Sequence, residues 1–165
     1  MPSPTLLVRR LGRNDREPVR RILEATQRFT ADELTTAMEL IDEWLAQGEA
    51  SEYLTYVLEE SNAWQAIRGY VCFGPTPLTE GTYDLYWIAV DPMSHGRGYG
   101  RQLLAFAERE AAQRGGRSML IETSSQESYG PTIRFYERAG YVLVARIPEY
   151  YRPGDDKLIF MKRLT

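Results

Sequence analysis

Between Tyr83 and Thr123 the chain passes through two hydrophobic periodicities in an order that leaves few folds open. An apolar run from Leu85 to Val90 stops at the turn pair Asp91-Pro92, and Gly96, Gly98 and Gly100 follow. Leu103, Leu104 and Ala107 then recur at helical spacing, in a helix expected from Tyr99 to about Arg114. Gly115-Gly116 ends it, and Ser118 to Thr123 reads as a second buried strand. Strand, helix and strand in this order form a crossover that makes the strands parallel and the connection right-handed. Ligands of such sheets bind beyond the carboxyl ends of the parallel strands, where Glu122 falls.

The glycine loop itself favours an anion. A helix N-terminus presents backbone N–H groups without intrahelical partners and a partial positive charge, and glycines let a phosphate approach the main chain. Arg97 and Arg101 add two full charges at that mouth. Alone, a G-x-G-x-G run also fits a solvated turn.

Around this unit the chain reads as one domain, 1–165. Leu6 to Leu11 is a short strand. Asn14 with Glu17 makes a capping box for a first helix with the face Val19, Ile22, Leu23 and Thr26, and Thr30 with Glu33 makes another for a second helix ending before Gly48. Tyr53 to Leu58 and Trp64 to Phe73 read as a hairpin around the turn Glu59-Glu60-Ser61-Asn62. The strand Thr82 to Val90 carries Asp84, Tyr86, Ile88 and Val90 on one face and Tyr83, Leu85, Trp87 and Ala89 on the other. A carboxylate there needs solvent or a partner. Pro131 opens a last helix that runs through Phe135 and Tyr136 to Gly140. Tyr141 to Ile147 and Lys157 to Arg163 are the closing strands, with 148–156 as a long aromatic and acidic loop.

Composition narrows the chemistry. A formal net charge of −3 gives no basic patch of the size nucleic acid requires. The single cysteine, Cys72, excludes an internal disulfide and a thiolate cluster, and the single histidine, His95, excludes a multi-histidine metal site. No run approaches the roughly 18 apolar residues of a membrane span, and no basic-then-apolar leader is read at the start, so a cytoplasmic location is expected.

With those residues in view, the loop resembles the coenzyme A signature of the GNAT superfamily of acetyl-CoA-dependent N-acetyltransferases. Val90-Asp91-Pro92 and Gly98-Tyr99-Gly100 fit the pattern, and His95 stands where Gln or Arg is usual. Phe135-Tyr136-Glu137-Arg138-Ala139-Gly140-Tyr141 resembles the family's helix-end segment, with Tyr129 and Thr132 where Asn and Ala are frequent. The resemblance implies a mixed α/β fold: a central twisted sheet of six to seven strands, about four helices on its faces, and a parallel pair splayed at the cofactor site. It implies acetyl-CoA as acyl donor, held by Ile88, Ala89, Val90, His95, Gly96, Arg97, Gly98, Tyr99, Gly100 and Arg101, with Tyr129, Thr132 and Phe135 from the last helix.

The same resemblance makes Tyr136 the acid to the departing thiolate and Asp84 the base, with Glu122 or water as alternatives. It puts acceptor contacts at Phe29 and Glu33, and the parallel strands and the long loop add Tyr86, Thr123, Ser124, Tyr150 and Tyr151 as candidates. Asp32, Glu33, Asp84, Glu122 and Asp155 are acidic, which points to a small cationic amine, with a protein amine as the other acceptor type. The aromatic C-terminal strands are compatible with a homodimer. A non-catalytic acyl-CoA-binding module remains the alternative reading.

Overall fold

The computed structural model describes residues 3–61 and 66–165. Its elements are β1 (Thr5–Arg10), α1 (Arg16–Ala25), α2 (Ala31–Gln47), β2 (Leu54–Ser61), β3 (Ala66–Pro75), β4 (Thr82–Val90), α3 (Tyr99–Gln113), β5 (Ser118–Ser124), α4 (Gly130–Arg138), β6 (Val142–Arg152) and β7 (Asp155–Arg163). The strands follow the order β1-β2-β3-β4-β5-β7-β6. This is the mixed seven-stranded sheet with four helices that the resemblance implies, and β4 with β5 is its parallel pair. The chain divides into two compact units, Met1–Gly74 with Tyr86–Ala107, and Pro75–Leu85 with Glu108–Thr165.

The first unit is built on β2 and β3, antiparallel from Leu54 opposite Phe73 to Glu60 opposite Ala66. Val57, Leu58, Tyr70, Val71, Cys72 and Phe73 are buried there, and burial pushes the Cys72 thiol up to about 12, so it packs as an inert apolar group. Tyr56 stacks on Phe73 and meets Phe106 of α3 at 4.7 Å between ring centroids. Helix α1 buries Val19, Ile22 and Leu23, and α2 buries Ala37, Met38, Ile41 and Trp44, whose Nε1 donates to Leu11 O at 2.9 Å.

Two local expectations hold or fail for electrostatic reasons. Thr30 and Glu33 form the capping box read from the sequence: Thr30 Oγ1 accepts from Glu33 N at 3.2 Å, and Glu33 Oε2 accepts from Thr30 N at 2.7 Å. The box at Asn14 and Glu17 does not form. Asp15 turns back to accept the Gly12 N–H at 2.8 Å, held by both ends of the Arg9 guanidinium, and α1 starts at Arg16 behind a 3-10 turn. The predicted turn at Glu59-Glu60-Ser61 is also corrected. These residues continue β2, because Glu59 is paired with Arg9 and Glu60 with Arg68. Asn62 and Trp64 lie outside the described residues.

Gly74, near the end of β3, leaves no room for a side chain: a Cβ there would meet Glu52 O at 1.8 Å. Gly74→Ala is therefore expected to cost on the order of 3 kcal/mol, the upper end of overpacking penalties. A urea titration with an unchanged m-value checks it.

In the second unit, residues 82–85 of β4 run parallel to 118–121 of β5, and β5 pairs antiparallel with β7, which carries β6. Tyr83, Leu85, Met119, Ile121, Tyr136, Tyr141, Leu158 and Phe160 are its core. The long loop expected over 148–156 is a correction. β6 extends to Arg152 and β7 starts at Asp155, turning at Gly154 with φ of 79°. A register shift between Ile147 and Arg152 takes up Pro148, which has no N–H for the ladder. Glu149 absorbs the irregularity at φ of 49°, its N–H donating to Asp156 Oδ1 at 2.8 Å. Tyr150 and Tyr151 therefore stand on a strand. Among the described residues no helix is long and apolar enough to cross a membrane.

Candidate functional site

The glycine loop belongs to the first unit and is fixed from both sides. Entering it, β4 ends at Ile88, Ala89 and Val90, and a Cβ on Gly69 would meet Ala89 O at 2.9 Å and the Leu103 side chain at 2.8 Å. Glycine at 69 thus lets β3 close on the end of β4. Asp91 N donates to Arg68 O at 2.8 Å, and Asp91 Oδ1 accepts from Met93 N at 3.1 Å. Leaving the loop, Tyr99, Leu103, Leu104 and Ala107 are buried and anchor α3.

Between these anchors His95, Gly96, Arg97 and Gly98 are exposed, Gly100 is half-buried, and Arg101 is exposed on the first turn of α3. Gly96 and Gly98 have φ of 81° and 78°, and nothing lies within 4 Å of a Cβ built on either. Glycine is needed there for its backbone conformation, and the space above the loop is open. The N-terminus of the 15-residue α3, with two arginines beside it and open space above it, has the chemistry to receive an anion.

Elsewhere in this unit, Phe29 meets Trp87 edge-on at 5.3 Å, and Tyr86 meets Tyr53 edge-on at 5.3 Å. Glu33 spends its carboxylate on the α2 cap, and Asp32 is exposed beside it. Glu60, expected in a turn, reaches Arg97 of the loop through one carboxylate oxygen and Arg68 of β3 through the other.

In the second unit β4, β5 and β7 bring Asp84, Glu122 and Lys157 to one group. Asp84 is half-buried and its Oδ2 accepts from Thr76 Oγ1 at 2.7 Å. Burial, helped by the negative Glu122 and opposed by the Thr76 bond and Lys157, holds its carboxyl above the ordinary range. Glu122, with its side chain 51% exposed, sits 2.8 Å from Lys157 Nζ, whose side chain is 13% exposed. Lys157 Nζ also lies 4.4 Å from the Tyr150 ring centre. Burial alone would lower the lysine, but its bond to Glu122 outweighs that and the ammonium is held above its ordinary value.

Lys157 escaped the sequence reading. Its signal is visible only with the register: it stands opposite Ser124, one diagonal from Glu122. The two lysines among 20 basic residues, Lys157 and Lys162, both lie in β7, and each pairs with a carboxylate of this unit.

The other predicted contacts divide by what they already hold. Ser124 Oγ donates to Asp155 Oδ1 at 2.5 Å and accepts from Gln126 N at 3.1 Å, so both Ser124 and Asp155 are engaged in the turn after β5. Thr123 Oγ1 is buried with no hydrogen-bond partner among the described residues. Tyr150 and Tyr151 pack edge-on at 5.0 Å, and burial leads the causes that raise the Tyr151 phenol.

On α4, Tyr129 stands at the N-cap with Thr132 and Phe135 half-buried behind it. Tyr136 is buried, 5.4 Å from the Phe135 ring and 5.9 Å from the Tyr141 ring, and burial lifts its phenol well above its ordinary value. Tyr141 Oη donates to Glu108 Oε1 at 3.0 Å, and Lys162 Nζ donates to Glu108 Oε2 at 2.9 Å, which ties α3, the end of α4 and β7 together. Among the described residues no group of three or more His, Cys, Asp or Glu side chains is placed to hold a metal ion.

Comparison with known proteins points one way. Residues 19–141 match the acetyltransferase (GNAT) family. The chain is 30% identical over 110 residues to the L-methionine sulfoximine/L-methionine sulfone acetyltransferase of Salmonella typhimurium, a match covering 66% of this chain and 63% of that relative's length. Its structure is similar to a crystal structure from Desulfovibrio desulfuricans assigned to the GNAT family of acetyltransferases, with a TM-score of 0.92 and 44% identity over 98% of this chain and 100% of that one. A Salmonella typhimurium structure solved with its cofactor acetyl-CoA has a TM-score of 0.71 at 21% identity, covering 97% and 94% of the two chains, and shares the fold.

Proposed function

The chain belongs to the acetyltransferase (GNAT) family, and from that premise we propose that it moves an acetyl group from acetyl-CoA to the primary amine of a small molecule. The observation that carries the donor is the loop after β4: Gly96 and Gly98 at positive φ under open space, at the exposed start of α3, between Arg97 and Arg101. That arrangement fits a diphosphate. The donor supplies an acetyl group already activated as a thioester.

The chain's own work is then to have the amine neutral and to supply a proton to sulfur. An alkyl ammonium titrates near 10.4, so about one molecule in a thousand is neutral at pH 7 unless a base assists. We assign that base to Asp84. Glu122 is committed to Lys157, whereas Asp84 Oδ1 has no hydrogen bond among the described residues and its carboxyl is raised towards the working pH. Tyr136, held protonated by burial, gives its proton to the sulfur as the C–S bond breaks, and the proton that the newly acylated nitrogen sheds restores it. Because a thiol near 8.5 is already a good leaving group, this help is modest. Tyr136→Phe is expected to lower kcat about 100-fold with acetyl-CoA affinity unchanged. A kcat within about twofold of the unsubstituted protein would remove Tyr136 from this role.

The acceptor we infer is smaller in charge than the acidic residues of the sequence suggest. Two carboxylates, Asp84 and Glu122, and one ammonium, Lys157, leave one net negative charge, the complement of a single ammonium. The named substrates of the Salmonella relative, L-methionine sulfoximine and L-methionine sulfone, are small amino acids that carry one ammonium beside one carboxylate, and they support a small acceptor with a single ammonium by size rather than by net charge. The test is a panel of amino acids, monoamines, polyamines and peptides with free N-termini, read by release of the coenzyme thiol. Turnover is expected with the small single-ammonium compounds. Turnover confined to polyamines or peptides would overturn the assignment.

A further inference from the structure

Resting on the donor reading above, we propose that Glu60 is a positioning residue: a buried carboxylate that holds Arg97 over the glycine loop for the donor's phosphates. Glu60 has a side chain 5% exposed, beneath a loop whose own residues are in solvent. Its Oε2 accepts from Arg68 Nε at 2.6 Å, and its Oε1 lies 3.6 Å from Arg97 Nη1. Arg68 continues the chain of contacts, with Nη1 donating to Asp91 Oδ2 at 3.4 Å while its carbonyl accepts the Asp91 N–H at 2.8 Å. Two carboxylates and two guanidiniums thus alternate from β2 through β3 to both ends of the loop.

A carboxylate beside an arginine meant for phosphate looks counterproductive, since like charges repel. Arg68 resolves this. It meets Glu60 at the shorter distance and offsets most of its charge while also meeting Asp91, so Arg97 is tethered through the other oxygen at 3.6 Å and only partly offset. Arg97 has a side chain 55% exposed, and an untethered arginine on the surface would lose rotamer freedom when it engages an anion. Holding it beforehand removes part of that cost, which corresponds to up to about tenfold in affinity. Asp91 has a parallel duty on the main chain, where its backbone and carboxylate fix the exit from β4.

The test is kinetics and titration on the full chain with two donors, acetyl-CoA and acetyl-pantetheine, the second lacking the nucleotide phosphates. Glu60→Gln is expected to raise KM for acetyl-CoA about tenfold at constant kcat and to leave kcat/KM for acetyl-pantetheine unchanged. In an Arg97→Ala background the same substitution is expected to add nothing beyond about twofold, because the two residues act as one unit. Arg97→Ala alone, at an exposed position, keeps the idea testable should Glu60→Gln not fold: it is expected to weaken acetyl-CoA about tenfold and acetyl-pantetheine not at all. Equal losses with both donors, tighter acetyl-CoA binding by Glu60→Gln, or full additivity of the two substitutions would each overturn the proposal. An unsubstituted chain that does not bind acetyl-CoA overturns the donor reading itself and is recognised before any substitution is made.

Discussion

Asp84→Asn is expected to lower kcat for amine acetylation by about 100- to 10,000-fold, the range for loss of a positioned general base. The substitution keeps the shape and leaves an oxygen to accept from Thr76 Oγ1, so the β4 to β5 pairing should survive. The pH dependence gives the second signature. Burial and the neighbouring Glu122 raise the Asp84 carboxyl, and the active form is the carboxylate. Activity of the unsubstituted enzyme should therefore fall as pH drops through a value above the ordinary carboxylate range, and this acid limb should be absent from the Asn variant.

Stability should move the other way. A carboxyl whose folded pKa is raised binds its proton more tightly in the folded chain. Folding then loses free energy as pH rises from the unfolded pKa to the folded one, and the loss is complete above it. Removing that charge makes the Asn variant at least as stable as the parent at pH 7. A variant that is inactive and less stable would point to a structural role, whereas one that is inactive and equally or more stable identifies a group kept for chemistry.

Gly98→Glu is expected to abolish measurable acetyl-CoA binding, a loss of at least about 100-fold. Gly98 has φ of 78°, where a side chain costs roughly 1–2 kcal/mol, and nothing lies within 4 Å of the added Cβ. The chain can therefore accept the residue at a strain that leaves the folded core intact. The carboxylate would stand at a helix N-terminus between Arg97 and Arg101, in the place proposed for the diphosphate, and would compete with it directly. Gly98→Ala carries the strain without the charge and should lose only about tenfold. The difference between the two variants separates backbone conformation from electrostatics at the same position.

What the sequence made legible follows from how local the signals were. β4 occupies Thr82–Val90 as read, because an apolar run bounded by a turn pair needs no distant partner to be recognised. The Thr30 and Glu33 box formed for the same reason. Misreadings arose where a charged or turn-like residue is satisfied from far along the chain. Glu59 and Glu60 look like a turn until Arg9 and Arg68 are brought to them by strand pairing. Residues 148–156 look like a loop because Pro148 and the acidic residues argue against a strand, yet a register shift absorbs the proline. Lys157 mattered most for the candidate site and was the least visible. Nothing near it in the sequence connects it to Glu122, and the link is made by β5 pairing with β7.

The measurement that bears most directly on the function is isothermal titration of the purified chain with acetyl-CoA, run beside Gly98→Glu. One site of micromolar affinity, lost in the variant while its unfolding transition stays cooperative, is the predicted result. Absence of binding by the unsubstituted chain, or equal affinity in Gly98→Glu, would contradict the assignment of the β4–α3 loop as the donor site.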